Sequence, residues 1–184
     1  KQVDHLEPEH EPCLRIEVNE DGDVVDIHHE KDHPNVYIEV FIMEKQLYLE
    51  LISKCIAHGE NYFFRDAIQR NRHNLNIAAY SYKGYHAVIN SIESYYKNSM
   101  NLLNQSHFQS LFKEQPVHTK IKYEAPTKYL DSAQVSNSLL ANGCIIGGSV
   151  ENSILFRGVK VHKGARIINS VIMQKCVIEE NAVI

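Results

Sequence analysis

The sequence predicts an α/β portion followed by an all-β parallel helix of short, stacked coils. Two observations carry this. Over the last third of the chain, aliphatic residues return every four to six positions, and ahead of it strand-like and helix-like segments alternate. An amphipathic helix returns apolar residues at three and four, and a half-buried strand at two. The C-terminal spacing fits neither.

The repeating residues are Val135, Leu140, Ile146, Val150, Leu155, Val161, Ile167, Ile172, Ile178 and Ile184, separated by 5, 6, 4, 5, 6, 6, 5, 6 and 6 positions. Taken in threes, the steps give coils of 15, 17 and 17 residues. Each step is a short strand and a corner, and three steps return the chain to its starting edge one layer higher, the pattern of hexapeptide β-helices. Asn137, Asn152 and Asn169 lie two residues after coil starts, and each is followed by Ser. Stacked amides in such a column can hydrogen-bond from layer to layer. A further set of small or apolar residues, Leu139, Cys144, Val150, Ile154, Val159, Ala165, Val171, Cys176 and Ala182, is expected to fill a narrow interior.

Ahead of this array, residues 14–27 read as two strands joined by a turn at Asp21-Gly22. The segment 35–42 (NVYIEVFI) reads as a buried strand, and 44–59 as an amphipathic helix with Leu47, Leu51 and Cys55 on one face and Gly59 as its stop. A shorter helix is expected over 61–71, a strand over 75–85 and a long helix over 87–104 with Ile89, Ile92, Tyr96 and Leu103 on one face. Alternation of this kind marks an α/β layer. Residues 113–130, with Pro116 and Pro126, read as a connector containing a short strand, which places the coils at 131–184 and the α/β portion at 1–112.

Bulk properties narrow the function classes. A formal charge of −4 over 184 residues leaves no basic footprint for nucleic acid. No apolar run reaches the roughly 20 residues of a bilayer span. The four cysteines are scattered without a CxxC pair, which favours a reducing cytoplasm over a zinc knuckle or a disulfide framework. Cys144 and Cys176 share one column two layers apart, about 10 Å, beyond disulfide reach. The opening at Lys1 without Met and the ending at Ile184 inside the repeat lead to the expectation of a fragment of a longer protein.

Eleven histidines invite a metal hypothesis. His28, His29 and His33 are the densest group, interspersed with Glu30 and Asp32, but the segment has no helical period and runs into Pro34, so a solvated polar loop is expected. His162 stands alone on a coil, at the surface. Asp66, beside Arg65, reads as an exposed helix carboxylate paired locally with arginine, an arrangement that contributes little. No glycine-rich phosphate loop and no serine–histidine–aspartate set is visible. The residues alone define no catalytic centre.

Three stretches are nevertheless distinctive: GYHAVINSIESYYKNSMNLL, PTKYLDSAQVSNSLLANGCII and VENSILFRGVKVHKGARIINSVIMQ. From about residue 14 to the end, the chain resembles the C-terminal portion of bacterial glucose-1-phosphate adenylyltransferases, most of all their GlgD-type regulatory subunit of glycogen synthesis. The resemblance implies the end of a Rossmann-like nucleotidyltransferase domain followed by a left-handed parallel β-helix. That hand runs against the usual crossover preference and is not implied by spacing.

In catalytic subunits of the family, ATP and a sugar phosphate are joined with Mg²⁺ bridging the phosphates, chemistry that requires cations on phosphate and carboxylates on metal. An EKP-type segment whose lysine grips the sugar phosphate corresponds here to HHEKDHP, with Glu30 at the lysine position, or Lys31 after a one-residue slip. The FGKD-like motif reads FFRD, so Phe64 replaces glycine, Arg65 replaces lysine and Asp66 remains. Arg65 and Asp66 are thereby implied substrate-binding residues. The GYW-x-D-x-GT motif reads GYHAVINS, and Val88 stands where the metal-holding aspartate belongs. Mg²⁺ demands oxygen ligands, which valine lacks.

The resemblance therefore implies a catalytically weak or silent subunit that pairs with a catalytic adenylyltransferase subunit, in a homo- or hetero-oligomer. No catalytic residue, metal or cofactor is expected in this fragment, and Mg²⁺ is expected in the partner. Two rivals stand beside this expectation. One is a catalytic sugar-phosphate nucleotidyltransferase with relocated metal ligands. The other is a hexapeptide acyltransferase or γ-carbonic-anhydrase-type hydrolase, which needs histidines between neighbouring β-helices where this array offers only His162.

Overall fold

The computed structural model describes residues 8–29, 33–114, 117, 118, 120 and 122–184. The chain divides into two compact units, Lys1–Gly84 and Tyr85–Ile184. The division thus falls ahead of 87–104, within what the alternation of strands and helices groups as one α/β portion. Among the described residues no helix is long and apolar enough to cross a membrane.

In the first unit, β1 (Arg15–Val18) and β2 (Val24–His28) form an antiparallel hairpin with a bulge between Glu17 and Val18. The turn closes where expected: Gly22 has φ 93°, a conformation that favours glycine, and Asn19 Oδ1 accepts the Asp23 N–H at 2.8 Å. Helix α1 (Lys45–His58) ends at Gly59 in the left-handed conformation, whose N–H reaches the freed carbonyls of the last turn. Its Leu51 and Cys55 are buried against Ala67 and Ile68, with Leu47 packed beside them, as the i+4 spacing requires.

Two expected strands are shorter than their composition promises. In 35–42 only the first residues pair, through Ile16 N–H to Asn35 O at 3.1 Å and Tyr37 N–H to Leu14 O at 2.9 Å. Beyond them no described strand lies opposite; Ile42 is 98% exposed, while Tyr37 and Phe41 stack on Phe64 and Phe63 instead. In 75–85 strand-like pairing is confined to Ile77–Ala79, which bond to Val24 and Gly22. The described unit is therefore a hairpin with short flanking bridges and helices, without a parallel sheet. The segment expected as a helix at 61–71 winds as a π-helix over Phe64–Gln69.

The second unit is a parallel β-solenoid of about three turns, preceded by short helices. Helix α2 (Ile92–Asn101) begins later than hydrophobicity indicates, because Ser91 and Ser94 form a reciprocal capping box. Ile92 is 89% exposed and Ser94 is the buried residue, so local side-chain bonding overrides the expected apolar face. Helix α3 (Gln105–Gln109) follows and runs on into π-helical Ser110–Glu114.

The solenoid comprises β3 (Lys128–Tyr129), β4 (Gln134–Ser136), β5 (Leu139–Leu140), β6 (Ile145–Ile146), β7 (Ser149–Glu151), β8 (Ile154–Leu155), β9 (Lys160–Val161), β10 (Arg166–Ile168), β11 (Val171–Ile172) and β12 (Val177–Ile178). They form three parallel sheets: β3-β6-β9-β12, β4-β7-β10 and β5-β8-β11. The register is that read from the sequence: Val135 over Val150 over Ile167, Leu140 over Leu155 over Ile172, and Ile146 over Val161 over Ile178. The first rung, β3, lies within the stretch read as a connector.

The interior is an apolar cluster: Ile146, Val150, Val159, Ala165 and Ile167 are fully buried. Burying each of the large aliphatics contributes about 1.5–3 kcal/mol. Cys144 and Cys176 line this interior as free thiols, as their column placement requires. Leu139, Ile154 and Val171 differ from the expected interior set. They sit one residue before the inward Leu140, Leu155 and Ile172, so strand alternation turns them outward, and α2 packs on β11 of that sheet. Their place inside is taken by serine: Ser153 is fully buried, donates to Glu151 O at 2.7 Å and accepts the Ser170 N–H at 3.0 Å.

The asparagine column forms the predicted ladder. Asn137 Nδ2 donates to Asn152 Oδ1 at 2.8 Å, and Asn152 Nδ2 donates to Asn169 Oδ1 at 2.6 Å. All three have positive φ, 41°, 44° and 50°, which asparagine tolerates better than other side-chain-bearing residues. One corner is short: only four positions separate Ile146 from Val150, through Gly147 and Gly148. A Cβ on Gly148 would clash with the Ala165 carbonyl oxygen of the next coil.

Asn152→Ala should destabilise the solenoid by about 1–3 kcal/mol, from two lost hydrogen bonds and a left-handed alanine. Asn152→Gly should recover part of that loss, because glycine removes the backbone strain but not the missing amide. Thermal unfolding followed in the β-sheet circular dichroism band distinguishes the two.

Candidate functional site

Of the residues the sequence singled out, Arg65 and Asp66 form the most organised polar cluster. They lie on the π-helical turn, where the widened winding brings Arg70 N–H to Arg65 O at 3.1 Å. Asn71 Nδ2 donates to the carbonyls of Asp66 and Ala67 at 3.2 Å each. Gln69 Nε2 ties the turn to β2 through Ile27 O at 2.9 Å, and Arg72 pairs with Asp26 at 2.7 Å.

Asp66 is not the exposed carboxylate that the sequence suggests: it is 2% exposed, because the residues of the turn close over it and three donor groups meet it. Its Oδ1 accepts Arg65 Nε at 2.7 Å and pairs with Arg70 at 3.1 Å. Its Oδ2 accepts Arg65 Nη2 and the Tyr62 N–H, both at 3.1 Å. The Arg65 guanidinium, followed by the Tyr62 amide, holds the carboxyl below its ordinary value against the opposing effect of burial. With both oxygens engaged, Asp66 can orient but not ligate. The available group is Arg65, whose side chain is half-exposed and whose guanidinium carbon lies 4.4 Å from the centre of the Tyr62 ring. A guanidinium fixed on one side by a carboxylate and supported by an aromatic face is suited to anions.

Val88 lies in the second unit, in the irregular segment before α2 and half-buried. Its side chain offers no oxygen, and its carbonyl already accepts Asn98 Nδ2 at 3.2 Å. The residue at this position does not fit a magnesium ion. Among the described residues no three His, Cys, Asp or Glu side chains gather as a metal group. His28 and His33 meet edge to face at 5.4 Å, while His29 is exposed. Glu30, Lys31 and Asp32 lie outside the described residues. His162 is exposed on its corner, as expected of an isolated solenoid histidine.

Sequence reasoning missed the second cation at Asp66, Arg70. Its position four residues after Asp66 is the signal that could have found it. It also missed Tyr96, taken as one residue of an apolar helix face, whose hydroxyl donates to Asn169 O at 2.6 Å.

Comparison with known proteins follows these features. The solenoid defines the class: residues 125–184 match the family described as GlmU-like, C-terminal hexapeptide. The wider chain is 42% identical over 133 residues to the glycogen biosynthesis protein GlgD of Bacillus subtilis, covering 71% of this chain and 38% of that protein. It is 41% identical over 134 residues to GlgD of Geobacillus stearothermophilus, covering 72% of this chain and 39% of the relative. A glucose-1-phosphate adenylyltransferase from Bacillus cytotoxicus is 36% identical over 109 residues, 59% of this chain and 29% of that enzyme. The chain is a homologue of the GlgD proteins and of the glucose-1-phosphate adenylyltransferases, and it spans well under half the length of these relatives.

The folded-state Asp66 titrates below its unfolded value, so the stability it lends is complete above about pH 4 and is lost as pH falls through the lower folded value. Asp66→Asn should lower the stability of the first unit at neutral pH and flatten the acid limb of its stability profile. Urea unfolding across that pH range, read by helical circular dichroism, checks both effects.

Proposed function

We propose that this chain is part of a GlgD-type subunit of glucose-1-phosphate adenylyltransferase, acting in bacterial glycogen biosynthesis in the cytoplasm. In this reading a catalytic partner subunit converts ATP and glucose 1-phosphate to ADP-glucose and diphosphate and supplies the Mg²⁺ site. The present chain pairs with it in an oligomer, raises its activity or tunes its response to effectors, and turns over weakly or not at all by itself. The first unit is then the end of a Rossmann-like nucleotidyltransferase domain, and the solenoid winds left-handed.

The observation that carries the reading is Val88. Identity to GlgD proteins extends over about seven-tenths of the chain, yet the position where the resemblance places a metal carboxylate holds an aliphatic residue whose carbonyl is already bonded. Arg65 remains a substrate-binding residue in the proposal, oriented by Asp66 and presented to a sugar phosphate. The solenoid's exposed strand edges supply surfaces for assembly.

The test is adenylyltransferase activity of the full-length polypeptide, alone and mixed with a catalytic glucose-1-phosphate adenylyltransferase. Near-background turnover alone, with co-elution and altered activity or effector response in the mixture, is the expected result. Full turnover by the isolated polypeptide would overturn it. A large gain from Val88→Asp would count against relocated metal ligands, because an enzyme with its ligands elsewhere should change little.

A further inference from the structure

From the contacts of α2 within the second unit we infer that this helix is a rigid strap through which the solenoid sets the position of the 87–91 segment. Towards the solenoid, the Tyr96 hydroxyl donates to the Asn169 carbonyl at 2.6 Å, and the Tyr95 hydroxyl reaches Met173 Sδ at 3.9 Å. The two acceptors flank β11, Asn169 at the corner before it and Met173 directly after it. Asn169 is the last member of the amide ladder, and its left-handed φ of 50° turns the chain there. The strap is therefore bolted to a point that the stacked coils themselves hold in place.

At its other side, α2 grips the segment before it. Asn98 Nδ2 donates to Val88 O at 3.2 Å and to Ser94 O at 2.9 Å. Ser94 Oγ accepts the N–H groups of both Asn90 and Ser91 at 3.0 Å. Ser94 is 4% exposed, so these bonds are shielded from water. Val88 is thus placed from the solenoid through two side chains on one helix, Asn98 and Tyr96. A displacement at the Asn169 corner is delivered to the Val88 segment as a movement of one body, since helix and segment share the Ser94 and Asn98 bonds.

That this segment is the position of a metal carboxylate in catalytic relatives rests on the adenylyltransferase reading; the strap does not. The test needs no activity, so its failure is separate from a failure of that reading. Spin labels on noncanonical amino acids at the exposed positions Ala87, Glu93 and Lys160 report, in the full chain, the Ala87–Lys160 and Glu93–Lys160 distances by pulsed dipolar spectroscopy. Each should give one narrow population. Tyr96→Phe should broaden or split both. Asn98→Ala should broaden Ala87–Lys160 alone and leave Glu93–Lys160 narrow. If Tyr96→Phe leaves both distances narrow, or if Asn98→Ala changes both or neither, the strap is refuted.

Discussion

The structure depends on one constraint: each coil must lay like residues over like, because a parallel ladder three strands round leaves no freedom for a slip. Backbone bonds between coils, such as Ile145 N–H to Val159 O and Lys160 N–H to Cys176 O at 2.9 Å each, fix the layers. They hold only if the interior column beneath them is filled. Val150 under Ile167 and Leu140 under Leu155 do so with branched side chains, and the asparagine and serine columns close the corner between two faces. A shift of one residue would put Lys160 into the interior and Val161 into water.

The candidate site follows a different logic. Asp66 sits where three donors converge, and its buried carboxylate is tolerable only because Arg65, Arg70 and the Tyr62 amide all meet it. What that arrangement presents outward is the arginine. Val88 is the complementary case: the backbone around it is held by Asn98 and the Ser91–Ser94 box, while its aliphatic side chain offers no ligand to a cation.

The solenoid was legible from sequence almost residue by residue, because a period that repeats three times leaves few alternative registers, and the Asn137–Asn152–Asn169 column checked it independently. The exceptions were Leu139, Ile154 and Val171, where an apolar residue on a helix-covered face looks the same in sequence as one inside. The first unit was less legible. Residues 35–42 have a strand's composition, but a strand also needs a partner along its length, and composition says nothing of that. The late start of α2 came from a serine pair that outcompeted the apolar pattern. Arg65 and Asp66 were found through family resemblance; their division of labour, one orienting and one presenting, required the hydrogen-bond geometry.

The short Gly147-Gly148 corner has a bearing on how such chains change length. The corner directly above it spends two more residues, yet the strands on both sides remain in step. Coils therefore keep time by contact and not by residue count, and a corner can gain or lose a pair of residues while the walls stay aligned. At the short corner itself, a side chain on Gly148 would meet the carbonyl of Ala165. Lengthening this corner would first have to swing the chain outward, making it a natural place for the prism's outline, rather than its interior, to diverge.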